Sequence, residues 1–377
     1  NDDFSKLPQS LQAVINDPEK RKKLVIYINP PYKEAGNRKT VTGHGAPATG
    51  VAVAHHTYKQ FVERIGLAGR ELFVQFFMRI YHEIPSCTLA EFSKLKILQA
   101  PNFADFRDIF RAKFLSGFVV RANTFDNVDG QFPIGFMIWD LSNHLIIDKA
   151  TLDILEKDNY CGSKDFTAYD NHYKWLNDWQ KTFRDNSDAI GKLGYVGNDF
   201  QNQGYIFISS EGRGHHEINI SKKNVLYASI YLAVRHCIEA TWLNDRDQFL
   251  YPNDGWKTDY EFQLDCLAYT LFHGQNRISS EQGTNHWIPF TEQELNAPDN
   301  FQSHFMSDFI RDFLKGKHTI DSSEAPTLFD TDSSSVLADI PESATPAFSA
   351  EAAEVMEAGK ALWHYYLHHK DGELYGA

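Results

Sequence analysis

The sequence predicts an α/β protein: a sheet drawn from residues 20–141, followed by a second, mixed and mainly helical domain. Three observations predict it. Leu24 to Ile28 (LVIYI) is a short β-branched and aromatic run that reads as a buried strand. Amphipathic helical segments then alternate with strand-like runs as far as Leu141, and such alternation implies a sheet flanked by helices. Beyond residue 150 the texture becomes Trp-, Tyr- and Asn-rich, around one long apolar helical stretch at 224–243.

The elements follow in order. Residues 1–23 are polar and contain one short helix, SLQAVIND. The segment NDDFSKLPQSLQ has no apolar signal-peptide core and no initiator Met, so a mature or truncated piece is expected. The strand at Leu24 runs into Asn29-Pro30-Pro31-Tyr32, where neither proline can donate a ladder hydrogen bond. The polar, glycine-containing passage 33–57 has little periodicity, which fits either a functional lid or binding loop or a disordered segment. Gly69 to Glu83 predicts a helix with Leu72, Phe73, Phe76, Phe77 and Ile80 on its apolar side, stopped by Pro85. A strand is expected at LKILQAP (95–101), and a helix over Ala104–Leu115. GFVVRANTF and PIGFMIWDL flank the turn DNVDGQ and predict an antiparallel pair at the sheet edge. The domain division expected is 1–150, 151–320, a Ser/Asp/Pro-rich linker at 321–347 and a C-terminal helix within 348–377, starting from Ser349.

Composition bounds the function classes. Aromatics make up 14% of the chain, with 28 Phe and 17 Tyr, which excludes a wholly disordered protein. Charges interrupt every long apolar run, so no membrane partner is expected. Cys87, Cys161, Cys237 and Cys266 are far apart with no Cys-x-x-Cys spacing, which fits a reducing, cytoplasmic location. His364 and His368 share a helix face, but no third ligand stands at a recognisable offset, so no metal is expected. The net charge of −13 argues against broad nucleic-acid adhesion while leaving room for a local basic cleft.

Asn29-Pro30-Pro31-Tyr32 carries the chemistry. In open α/β sheets ligands bind outside the carboxyl ends of the strands, where this tetrapeptide sits. The Asn29 side-chain oxygen and the Pro30 carbonyl are two acceptors, the rings of Pro30 and Pro31 hold them rigidly, and Tyr32 supplies a flat face. Such a site suits a planar substrate with an exocyclic NH₂. Two acceptors draw that nitrogen toward a tetrahedral state and free its lone pair to attack an electrophilic methyl group, with fixed dipoles stabilising the developing positive charge.

The stretch resembles the Asn/Asp/Ser-Pro-Pro-Tyr/Phe/Trp motif of S-adenosylmethionine-dependent amino methyltransferases, above all the adenine-N6 DNA methyltransferases of restriction–modification systems. ELFVQFFMRIYHEIP resembles the helix after their catalytic loop, KLKILQAPNF their next strand, and FVVRANTF with QFPIGFMIWDL their terminal strand pair. The resemblance spans roughly residues 20–141. It implies the C-terminal part of a Rossmann-like methyltransferase sheet, with Asn29, Pro30, Pro31 and Tyr32 catalytic. Tyr32 and Phe132 would hold the flipped base, Phe132 being carried over from an aromatic position before the last strand. The implied cofactor is S-adenosylmethionine and the implied partner is double-stranded DNA, with restriction–modification subunits or a fused upstream nuclease as further partners.

The family's donor half is not legible. Too few residues precede Leu24 to supply it, GHGAPATG (43–50) follows no strand, and EGRG (211–214) opens no helix. The cofactor-binding residues are therefore unknown, and whether the chain is active by itself stays open. Residues 151–320 have the position of a target-recognition domain, with Arg213, His215, Lys222, Lys223 and Arg277 as DNA-contact candidates and Tyr169, Tyr173, Trp175 and Trp179 as stacking candidates. Two alternatives remain: a non-catalytic DNA-specificity or interaction subunit with this fold, and a methyltransferase acting on RNA or on protein glutamine.

Overall fold

A computed structural model describes residues 4–32, 59–60, 63–126, 128, 130–157, 159–170, 172–187, 189–209, 216–273, 276–277, 287–291, 293–297, 310, 314 and 347–369. Two compact units emerge: 1–173 together with 240–248, and 174–239 together with 249–377. The passage 33–57, both glycine-rich stretches and the linker at 321–347, but for its last residue, lie outside the described residues.

In the first unit, β1 (Val25–Ile28), β2 (Thr88–Lys94), β3 (Lys113–Arg121), β4 (Pro133–Asp140), β5 (Lys149–Glu156) and β6 (Asn159–Thr167) form one mixed sheet among the described residues. Its order is β1-β2-β4-β3-β5-β6. β1 and β2 are parallel, in a register that sets Ile28 opposite Glu91. β4 runs antiparallel to both β2 and β3. The strand pair expected after the second helix therefore forms, but inside the sheet, because β3 goes on to pair in parallel with β5 through Phe118 and Val119. β5 and β6 close the sheet as an antiparallel pair. The sheet thus runs past the division expected near residue 150.

Among the described residues, the α-helices of this unit are α1 (Gln9–Asn16), α2 (Pro18–Arg21), α3 (Leu72–Glu83), α4 (Lys96–Gln99) and α5 (Ala104–Ile109). α3 forms where the apolar stripe predicts it, burying Phe73, Val74, Phe77 and Met78. Phe76 is the exception: it faces outward, 48% exposed. The high aromatic content goes into a ring cluster under the sheet. Phe73 stacks on Phe103, Phe106 stacks on Phe110, and Phe110 meets the edge of Trp139. Packing of this kind contributes beyond simple area burial.

Two expected elements are corrected. LKILQAP is not a strand: residues 96–99 are the helical turn α4, and the strand is TLAEFSK just before it. Its inward positions include Glu91 and Ser93, both fully buried, so the apolar alternation that marks a strand is missing there. The second helix ends at Ile109 rather than 115, because Phe114 already belongs to β3.

The second unit holds α6 (Leu176–Thr182), β7 (Gly191–Gly194), β8 (Phe207–Ser209), β9 (Glu217–Ile220), α7 (Val225–His236), α8 (Tyr260–Phe272), β10 (Asn276–Arg277) and α9 (Ala350–His369). The strands form a small sheet in the order β10-β8-β7-β9. α7 is buried almost all round, as its sequence predicts, but stops at His236 instead of continuing to 243. Arg235 is completely buried near its end; it donates to the carbonyls of Gly197 (2.6 Å) and Asp199 (2.9 Å) and lies 4.8 Å from the Phe249 ring. Burial lowers its pKa. All four cysteines are free thiols. Among the described residues, no helix is long and apolar enough to cross a membrane.

Candidate functional site

The ladder between β1 and β2 ends at Ile28↔Glu91, and Asn29-Pro30-Pro31-Tyr32 leaves the sheet from that point. With no N–H on Pro30 or Pro31, neither residue can anchor itself by donating. Asn29 and Pro31 are exposed, Pro30 is buried and Tyr32 is half-buried. The Tyr32 hydroxyl donates to the Asn29 side-chain oxygen at 2.6 Å. Burial pushes the Tyr32 pKa up, with the Glu91 carboxylate and the Tyr27 phenol adding to the rise, so the hydroxyl is a proton donor at neutral pH. One lone pair of the predicted acceptor is therefore occupied by the chain's own phenol, and the second is left for another donor.

The backbone of Tyr32 is held from outside the motif. Lys94 Nζ, at the end of β2, donates to the Tyr32 carbonyl at 2.8 Å. The same ammonium lies 3.5 Å from Glu71 Oε2, and Lys96 Nζ lies 2.7 Å from Glu71 Oε1. Glu71 directly precedes α3, and its side chain is only 4% exposed. A buried carboxylate is tolerated when paired and hydrogen-bonded, and here two ammonium groups share it.

Beneath the ladder end lies Glu91. Trp139 Nε1 donates to its Oε1 at 3.1 Å, and its Oε2 is buried with no hydrogen-bond partner. Burial raises its pKa to about 8, against the opposing effect of the Trp139 indole, so it is largely protonated at neutral pH.

Phe132 and Tyr32 border the same small apolar cluster, formed by Val120, Ala122 and Ile134, with Phe92, Phe118 and Phe125 also around it. The Phe132 carbonyl accepts from the Ala122 amide, which fixes the start of β4 against the end of β3. The two residues expected to flank a base are thus placed around one cluster at the carboxyl end of β1.

In comparison with known proteins, no family model matches the chain and no curated protein matches it.

The DNA-contact candidates lie elsewhere. Arg213 and His215 are outside the described residues, and Arg277 is the second residue of β10. Lys222 and Lys223 are exposed just before α7, where the Lys223 amide donates to Ser221 Oγ at 3.2 Å. Lys222, Lys223 and Arg277 belong to the second unit. Of the stacking candidates, Trp179 is core: it is 2% exposed and packs on Phe183 and Trp256. Tyr169 and Tyr173 meet edge to face in the first unit.

A methyl-donor site is not evident among the described residues. At Gly66 (φ +57°), Asp105 Oδ2 lies 2.8 Å from where a Cβ would stand, so that turn leaves no open cradle. Sequence reasoning missed Glu71, Lys94, Lys96 and Glu91. For Glu91 and Lys94 the signal is the polar pattern of TLAEFSK, which places them on opposite faces of one strand; Glu71 and Lys96 lie outside that stretch and carry no such signal.

Proposed function

We propose that the chain carries the amino-group receptor of a DNA adenine-N6 methyltransferase of the restriction–modification kind. The observation that carries the reading is the position of Asn29-Pro30-Pro31-Tyr32 at the carboxyl end of a parallel strand, with Phe132 around the same cluster as Tyr32. The helix and the antiparallel strand pair that follow support it, since they stand where the resemblance points to them, although the strand between them is TLAEFSK and not KLKILQAPNF.

In this role the adenine is flipped out of the duplex, as chemistry on a base requires, and its ring rests against Tyr32 and Phe132. Its amino group donates to Asn29 Oδ1 and to the Pro30 carbonyl. Those dipoles are fixed before the reaction and stabilise the positive charge that develops on nitrogen as its lone pair is used. The methyl donor this chemistry calls for is S-adenosylmethionine. The role argued for this chain is recognition and activation of the acceptor.

Deleting the gene in the source organism and mapping N6-methyladenine in its genome tests the reading. Methylation at one recurring sequence is expected to disappear, to return with the wild-type gene, and to stay absent with Asn29→Ala. Full restoration by Asn29→Ala removes Asn29 from the chemistry. A second reading, a non-catalytic specificity subunit, is favoured by the Tyr32 hydroxyl resting on Asn29; under it, deletion leaves the chemistry intact but changes the sequence that is methylated.

A further inference from the structure

We propose that Lys94, set in place by Glu71 and Lys96, is the positioning residue of this receptor, holding the Tyr32 carbonyl and through it the angle at which Asn29 and Pro30 face the base. The inference rests on the methyltransferase reading for its purpose, but not for its geometry.

The argument starts from what the motif lacks. Ladder pairing stops at Ile28↔Glu91, and the next two residues after Asn29 have no N–H. An anchor for this turn must reach its carbonyls, and a long donor side chain from the neighbouring strand is the direct solution. Lys94 is that donor: β2 fixes its backbone, and its ammonium reaches the Tyr32 carbonyl at 2.8 Å. A lone lysine would swing freely among rotamers, at an entropy cost for each geometry it holds. Glu71 removes that freedom, at 3.5 Å from Lys94 and 2.7 Å from Lys96, in a pocket where the three side chains are 4%, 16% and 19% exposed. The network joins the start of α3, the end of β2 and α4 to the one residue of the motif whose ring would face the substrate. A surface ion pair would do little here, whereas one this enclosed is strongly disfavoured when a partner is removed.

3-Fluorotyrosine placed at position 32 gives a single ¹⁹F resonance that reports the ring without any reaction. Lys94→Met is expected to shift that resonance toward the solvent-exposed value, while Lys94→Arg, which keeps a donor and a charge, holds it near wild type. Glu71→Gln is expected to fall between them. In the complementation assay, Lys94→Met is expected to cut methylation at least tenfold and Lys94→Arg to restore most of it. An unchanged resonance in Lys94→Met, with far-ultraviolet circular dichroism showing a folded protein, overturns the clamp. A shifted resonance in a protein whose deletion changes no methylation supports the clamp and overturns the methyltransferase reading instead.

Discussion

Glu91 occupies an inward position of β2 with one oxygen on the Trp139 indole and the other without a hydrogen-bond partner. Its folded pKa, about 8, lies above the ordinary value of 4.5. Between those values the folded chain binds more protons than the unfolded one, so stability falls as pH rises from about 4.5 through about 8 and then levels off. Glu91→Gln cannot ionise and keeps an acceptor for Trp139. Urea unfolding at pH 5 and pH 9 is expected to show wild type losing on the order of 3–5 kcal/mol relative to the variant across that interval; a difference that does not change with pH would refute the burial argument. Tyr32 supplies a second prediction at this scale. Tyr32→Phe removes the hydroxyl that donates to Asn29 and keeps the ring. A hydrogen bond contributes about 0.5–1.5 kcal/mol, and this one is exposed, so unfolding should move by no more than that. Methylation in the complementation assay is expected to persist, since the freed acceptor and the aromatic wall are what the base needs. Its loss would show that the hydroxyl itself takes part.

Among the elements, α3 and the β3–β4 pair were readable from sequence because their residues follow the period their structures require; β1 was readable as a strand but not as a buried one, since Val25 and Tyr27 are 60% and 66% exposed at the edge of the sheet. Leu24 to Ile28 is uninterrupted and β-branched, the Phe residues of α3 recur on one side, and DNVDGQ separates two apolar runs. β2 was not readable, because a carboxylate and a hydroxyl take the inward places that Val or Ile would normally mark. KILQ misled in the opposite sense: its apolar residues are buried by a single helical turn rather than by a ladder. The clamp was illegible for another reason. Lys94 and Tyr32 are 62 positions apart and Lys94 and Glu71 are 23 apart, and nothing local in the chain encodes either meeting. Close approach in the sheet centre gives the prediction at this scale. A Cβ on Gly117 of β3 would collide with the Phe136 carbonyl of β4 and stand 2.8 Å from Leu152 Cδ2 of β5. Gly117→Ala is expected to cost about 1–3 kcal/mol in thermal or urea unfolding, because the β4 backbone has to move and the Leu152 side chain has to swing aside. An unchanged midpoint would mean that the strands part there without cost.

For the whole molecule, the sequence showed the change of texture near residue 150 but not where the first unit ends. β5 and β6 carry Lys, Asp and Glu on their outer face and so look unlike the strands before them, yet they continue the same sheet. Residues 240–248 then rejoin that unit from beyond α7. Trp242 Nε1 donates to Glu156 Oε1 at 2.8 Å, Arg121 lies 5.0 Å from the Trp242 ring, and Lys164 meets Asp247 at 2.6 Å. Gln99 also donates to Asp247 Oδ1. Trp242→Ala is expected to cost about 1–2 kcal/mol and to speed amide exchange in β3 and β5, read by hydrogen-exchange mass spectrometry. Equal exchange in the variant would show that the segment merely rests there.

That returning segment has a consequence for how the protein is made. Synthesis proceeds from the amino end, and domains tend to fold as soon as their residues have left the ribosome. The first unit must wait: when β6 emerges, Lys164 and Gln99 still lack Asp247, and Glu156 still lacks Trp242. About 80 further residues, including all of α7, must be translated before these groups find their partners. The nascent sheet therefore passes through a stage in which its last strands are unlatched, and a gene cut at residue 173 would fix the product in that stage.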